Sequence, residues 1–117
     1  MNAEQIREYC IAKKGVTESF PFNEEVLVFK VLDKMFALIS LSKPDSINLK
    51  CDPERAIELR EQYDDIIPGF HMNKKHWNTV MLTGSLSKKL IFELIDHSFE
   101  QVLKSMGKKG EQFLSGK

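Results

Sequence analysis

A chain of 117 residues with 42% hydrophobic and 29% charged residues has the composition of one folded domain and is too short for two ordinary ones. Seventeen basic side chains balance seventeen acidic ones, so net charge singles out no class of partner, and any electrostatic role must come from how the charges are distributed. The longest apolar runs, such as Val26–Phe29 and Met35–Ile39, fall far short of the ~20 residues a membrane helix needs, so no membrane partner is expected.

The opening MNAEQIREYC is polar and charged, and no secretory leader is expected. Cys10 and Cys51 stand far apart, which fits a cytoplasmic protein with both thiols free. Asn2 to Lys14 places Ile6, Tyr9, Cys10 and Lys13 on one helical face, and Gly15 follows where a left-handed cap is expected. In Ser19-Phe20-Pro21-Phe22 the proline forbids a central strand and predicts an edge or a bend. Val26–Val31 and Met35–Leu41, rich in β-branched and aromatic residues, read as a hairpin around Leu32-Asp33-Lys34. Ser46–Cys51 is a third strand, its Ile47 and Leu49 alternating with polar residues.

Asp52-Pro53-Glu54 is a helix start. The carboxylate can accept the free amides of the first turn, proline at the first position loses no bond, and Glu54 favours the positive end of the dipole. That helix should run to Tyr63 and bury Ala56, Leu59 and Tyr63, with Ile57 flanking. Thr79–Leu82 reads as another strand, and Ser87 should cap a long helix with Ile91, Leu94, Ile95, Ser98 and Val102 inward. Residues 1–107 then form the domain, and 108–117 a frayed tail with little to bury. The order α-β-β-β-α-β(β)-α predicts an α+β two-layer sandwich, an antiparallel sheet with helices on one face.

Lys50-Cys51-Asp52-Pro53-Glu54 and the stretch Pro68-Gly69-Phe70-His71-Met72-Asn73-Lys74-Lys75-His76-Trp77-Asn78-Thr79-Val80 resemble the MmcQ/YjbR family, as do Ser19–Phe22 and Lys34–Ala37. The likeness covers nearly the whole chain. It implies a compact α+β domain of the kind also seen in secretion chaperones and, loosely, in frataxin. Members are often described as DNA-binding, largely by analogy of fold, which is weak ground for function.

The residues themselves supply a second line. Ile66 to Phe92 contains no Asp or Glu, while Glu58, Glu61, Asp64 and Asp65 crowd just upstream. Within the basic segment 71–89, Lys74, Lys75, Lys88 and Lys89 can contact phosphates and Asn73 and Asn78 can read base edges. His71, His76 or an exposed Trp77 could stack on an unpaired base. The same residues have an ordinary reading: lysines solvating a loop, Trp77 anchoring a core, His71 and Asn73 closing turns. Metal binding is not expected, since His71 and His76 flank a loop and neither Cys51 nor His97 has zinc-like spacing. His97 is expected to meet solvent or the helix dipole. No nucleotide or nucleophile motif occurs, so no cofactor and no catalytic residue is assigned and the chain reads as non-enzymatic. The competing expectation is a protein-interaction module, a homodimer or peptide binder, using Phe20 and Phe22 or Phe99 and Phe113.

Overall fold

Period-two alternation in the strand segments and 3.6-residue periodicity in the helices produce ten elements in the computed structural model, which describes residues 1–70 and 72–116. They are α1 (Ala3–Ile11), β1 (Val16–Ser19), β2 (Val26–Val31), β3 (Lys34–Ser40) and β4 (Ser46–Lys50), followed by α2 (Pro53–Gln62), β5 (Ile66–Pro68), β6 (Trp77–Met81), α3 (Lys88–Lys104) and α4 (Lys108–Ser115). The strands form one sheet in the order β1-β2-β3-β4-β6-β5, every pair antiparallel. The α+β sandwich is therefore as expected. Two elements of it exceed the sequence reading: β1, the edge strand before the Pro21 bend, and α4.

The main core lies between the sheet and the helices. Leu27, Phe29, Val31, Ala37, Ile39, Ile47, Leu49, Ile66 and Val80 meet Ile6 and Cys10 of α1, Ala56 and Leu59 of α2, and Ile91, Leu94, Ile95, Phe99, Val102 and Leu103 of α3. Phe99 packs edge-on against Phe36 with ring centroids 5.3 Å apart, so it belongs to the core and not to a contact surface. Helices α1, α2 and α3 start as their sequences dictate. Asn2 and Gln5 form a reciprocal capping box at α1, Asp52 accepts the Arg55 amide at 3.1 Å, and Ser87 accepts that of Leu90 at 3.1 Å. Tyr63 is only half-buried and Ile57 is exposed, because α2 presents just Ala56 and Leu59 inward.

Three local geometries decide what faces where. Leu32 (φ 48°) and Asp33 (φ 66°) both adopt left-handed conformations, the two-residue hairpin turn whose twist matches its strands. A bulge between β2 and β3 places Phe29 opposite Ala37 but Lys30 opposite Met35, leaving Phe36 as the extra residue. Phe36 thereby turns into the main core while Met35 joins the other face. Lys108–Ser115, expected to be part of a frayed tail, is helical, with Phe113 half-buried against the core. Gly110 permits this, since a Cβ there would lie 1.7 Å from the Leu103 carbonyl oxygen.

Candidate nucleic-acid interface

The lysine-rich stretch is the loop joining β5 to β6. Its ends are closed by the Gly69 amide donating to the Trp77 carbonyl at 2.9 Å, and a side chain at Gly69 would run into Trp77. Inside, the Asn73 carbonyl accepts the amides of His76 and Trp77, and its side-chain oxygen accepts that of Lys75 at 2.9 Å. From behind, the Arg60 guanidinium donates to the carbonyls of Lys74 and Trp77 and to the Asn78 side chain at 2.6 Å. A cation thus grips the inner side of the loop through neutral acceptors, and Lys74 and Lys75 remain exposed.

Trp77 is 8% exposed and packs with Val28 and Leu38, flanked by Val26, Met35 and Met72. This cluster sits on the sheet face that no helix covers. Register assigns the rest of that face: Thr17 beside Lys30, Ser19 beside Val28, Asn48 beside Leu38 and Thr79, Lys50 beside Trp77, and Ser46 beside Met81. Among the described strand residues on this face there is no Asp or Glu, because the one strand carboxylate, Glu18, pairs with Phe29 on the helix side and holds Arg7 there. Lys30 and Lys50 lie at the same end of the sheet as the β5–β6 loop, about 10 Å apart at the ordinary ~4.8 Å strand spacing, with Trp77 one strand beyond Lys50.

A closed ring of three hydrogen bonds fixes the start of the loop on this face. The Phe70 amide donates to Thr79 Oγ1 at 2.9 Å, the Thr79 hydroxyl to Asn48 Oδ1 at 2.5 Å, and Asn48 Nδ2 to the Phe70 carbonyl at 3.2 Å. The Phe70 side chain is 61% exposed. It walls a groove of about 510 Å³ with Ile67, Thr79 and Met81 on one side and a hollow of about 250 Å³ with Gly69 and Lys74 on the other.

The residues singled out from sequence do not all meet. Asn73, Lys74, Lys75, half-buried His76 and Trp77 share the loop and its flank, while His71 lies outside the described residues. Asn78 points to the helix side, 2% exposed and bonded to Arg60 and to the Ala56 carbonyl, so it is a structural residue. Lys88 and Lys89 follow the far end of β6. Lys88 stands over the Phe92 ring and borders a groove with Gln5, Glu8 and Tyr9 of α1, away from the loop. Lys30, Lys50 and Phe70 were missed. Strand parity could have found the first, since Lys30 alternates with Val26 and Val28, but the pairing of β4 with β6 across α2 leaves no local trace.

Elsewhere, chemistry is subdued. Burial pushes the Cys51 thiol up to about 11 and the Cys10 thiol up to about 12, against thiolate formation. His97, expected to meet solvent or the helix dipole, is half-buried: its Nε2 accepts the Asp52 amide at 3.1 Å, and burial followed by Arg55 holds its pKa below the ordinary value. Among the described residues no three His, Cys, Asp or Glu side chains gather as a metal set, and no helix is long and apolar enough to cross a membrane.

Comparison with known proteins fits this fold. A family model described as YjbR matches residues 11–101. The chain belongs to the YjbR family. The YjbR protein of Escherichia coli (strain K12) is 34% identical over 115 residues, covering 97% of this chain and 98% of that protein. YbdF of Escherichia coli O157:H7 is 38% identical over 80% of this chain and 77% of its own length. A similar fold is seen in the crystal structure of Deinococcus radiodurans protein DR2400, with its DUF419 domain. That structure superposes with a TM-score of 0.87 at 41% identity, covering 95% of this chain and 85% of that one. A crystal structure from Pseudomonas syringae gives 0.73 at 34% identity over 86% of this chain and 98% of that one.

Proposed function

We propose that this YjbR-family domain is a non-enzymatic nucleic-acid-binding protein, contacting phosphates through Lys30, Lys50, Lys74 and Lys75 at one end of its uncovered sheet face. The observation that carries this reading is the absence of any carboxylate among the strand residues of that face, although the chain has zero net charge. The seventeen acidic groups are distributed over helices, turns and edges, so a polyanion lying along the strands of the open face meets Lys30 and Lys50 with no strand carboxylate beside them. The high pI usual for such proteins is then unnecessary, because local potential decides contact within a Debye length. The non-enzymatic part rests on the raised thiols of Cys10 and Cys51 and on the commitment of Asp52 and His97 to hydrogen bonds at the start of α2.

Titration of a labelled oligonucleotide across a salt series tests it. Four phosphate contacts give a log-affinity slope of about −0.9 per contact on duplex DNA or −0.7 on a single strand. Lys74→Glu with Lys75→Glu should abolish binding at unchanged melting temperature, since both lysines are exposed and exposed charges contribute little to folding. Absence of binding by the native protein to DNA and RNA at low salt would falsify the reading.

One observation favours the alternative, a homodimer. Phe20, Phe22 and Leu41 are exposed around the β1 edge, where Phe20 and Leu41 border a groove of about 460 Å³. Antiparallel pairing of two β1 edges would continue the sheet about a twofold axis. Sedimentation of native protein against Phe20→Ser, Phe22→Ser decides it: a native monomer at high concentration excludes this arrangement.

A further inference from the structure

We infer that the nucleic acid taken by the open face is an unpaired strand, with Phe70 as the platform on which a base stacks. This rests on the nucleic-acid reading above and narrows it to one class of ligand. Trp77, the obvious stacking candidate in the sequence, is excluded by its burial beneath Met72 and beside Leu38. The exposed ring at this site belongs instead to Phe70, and it stands between two spaces of different character. On the loop side the hollow contains Lys74, whose ammonium group donates to the Gly69 carbonyl at 3.3 Å and sits within reach of a phosphate. On the sheet side the groove floor is apolar, formed by Ile67 and Met81. A base against one face of the ring and its phosphate at Lys74 use both spaces at once.

Rigidity supports the assignment. An exposed aromatic in a mobile loop would lose its freedom on binding, but here the Phe70 amide and carbonyl are both fixed by Thr79 and Asn48, residues of two paired central strands. Shape argues against a duplex. The major groove of a duplex admits a helix or a two-stranded ribbon, whereas this face is a sheet whose features are hollows beside a ring. Charge sets the direction of the strand's path: lysines gather at the loop end, while the far groove holds Asp45 beside Lys43. Phosphates therefore follow the Lys30–Lys50–Lys74 end, and bases turn inward past Phe70.

The test measures binding of the native protein, Phe70→Ala, Phe70→Leu and Phe70→Tyr at low salt. The probe is a labelled strand of about 12 nucleotides, within the span one small domain covers, alone and as its duplex. The single strand should bind more tightly than the duplex. Phe70→Ala and Phe70→Leu should each weaken single-strand binding about 5- to 100-fold, the range expected for one lost base stack, and Phe70→Tyr should retain it. The salt slope should stay unchanged in all three, because stacking releases no counterions. Equal affinity for strand and duplex, with Phe70→Leu indistinguishable from native, overturns this inference and leaves the phosphate-binding reading standing. No binding of either probe by the native protein overturns that reading itself.

Discussion

At His97 a single ring nitrogen accepts the Asp52 amide, which places the imidazole proton on Nδ1 and makes the neutral ring the form that fits. Protonation removes that acceptor and sets a cation near Arg55 and Lys104, with Asp52 and Glu100 only partly offsetting them. Because the folded-state pKa lies below the unfolded value of about 6.5, this contribution to stability is complete above that pH and is lost as pH falls through the lower, folded value. The denaturation midpoint should therefore drop on going from pH 7.5 to about 5, and His97→Gln, which keeps a carbonyl acceptor without a titrating group, should flatten that part of the profile. Asp52 caps the same helix. Its replacement by Ala should cost about 0.5–2 kcal/mol, with Asn recovering most of it, as read from urea denaturation. The cap was legible in the sequence because an acceptor, a proline and an acid in succession form a purely local signal. The bond to His97 was not, since 45 residues separate donor from acceptor.

Among the elements, α4 shows most clearly where local signals mislead. Lys108–Ser115 offers only Phe113 and Leu114 as apolar side chains and interrupts them with Gly110, so by composition it reads as a tail. Its stability comes from α3, onto which it folds so closely that Gly110 has no room for a methyl group, and from Phe113, which sits against Gly15 beneath the Lys14 ammonium group. Gly110→Ala should destabilise the protein by about 1–3 kcal/mol, the usual range for overpacking, and increase amide exchange in α4 before the sheet exchanges. The β2–β3 turn offers the opposite substitution. Asp33 bears a left-handed φ that glycine adopts freely, and Asp33→Gly should raise stability by about 0.5–1 kcal/mol in the same assay. The two short edge strands, β1 and β5, were under-read for a related reason: four and three residues carry too little alternation to register.

Across the whole molecule, the sheet's pairing order does what no segment could announce. It carries Lys50 from the end of one strand to the side of Trp77 across an intervening helix, and it leaves Lys88 and Lys89 at the other end of β6. The acid-free run in the sequence is thus divided by the fold: its loop half lies beside the open face and its helix half does not. That face has a consequence for bulk behaviour. With Lys30, Lys50, Lys74 and Lys75 gathered at one end of a face free of strand carboxylates, a chain of zero net charge carries a lysine-rich end. Near its isoelectric point of about 6.8 it should barely migrate in an electric field. In dilute buffer at that pH it should nevertheless be retained on a sulfonate resin, presenting that end of the sheet. Lys74→Glu with Lys75→Glu should abolish that retention, and elution of the native protein in the void would show that its lysines are not gathered in this way.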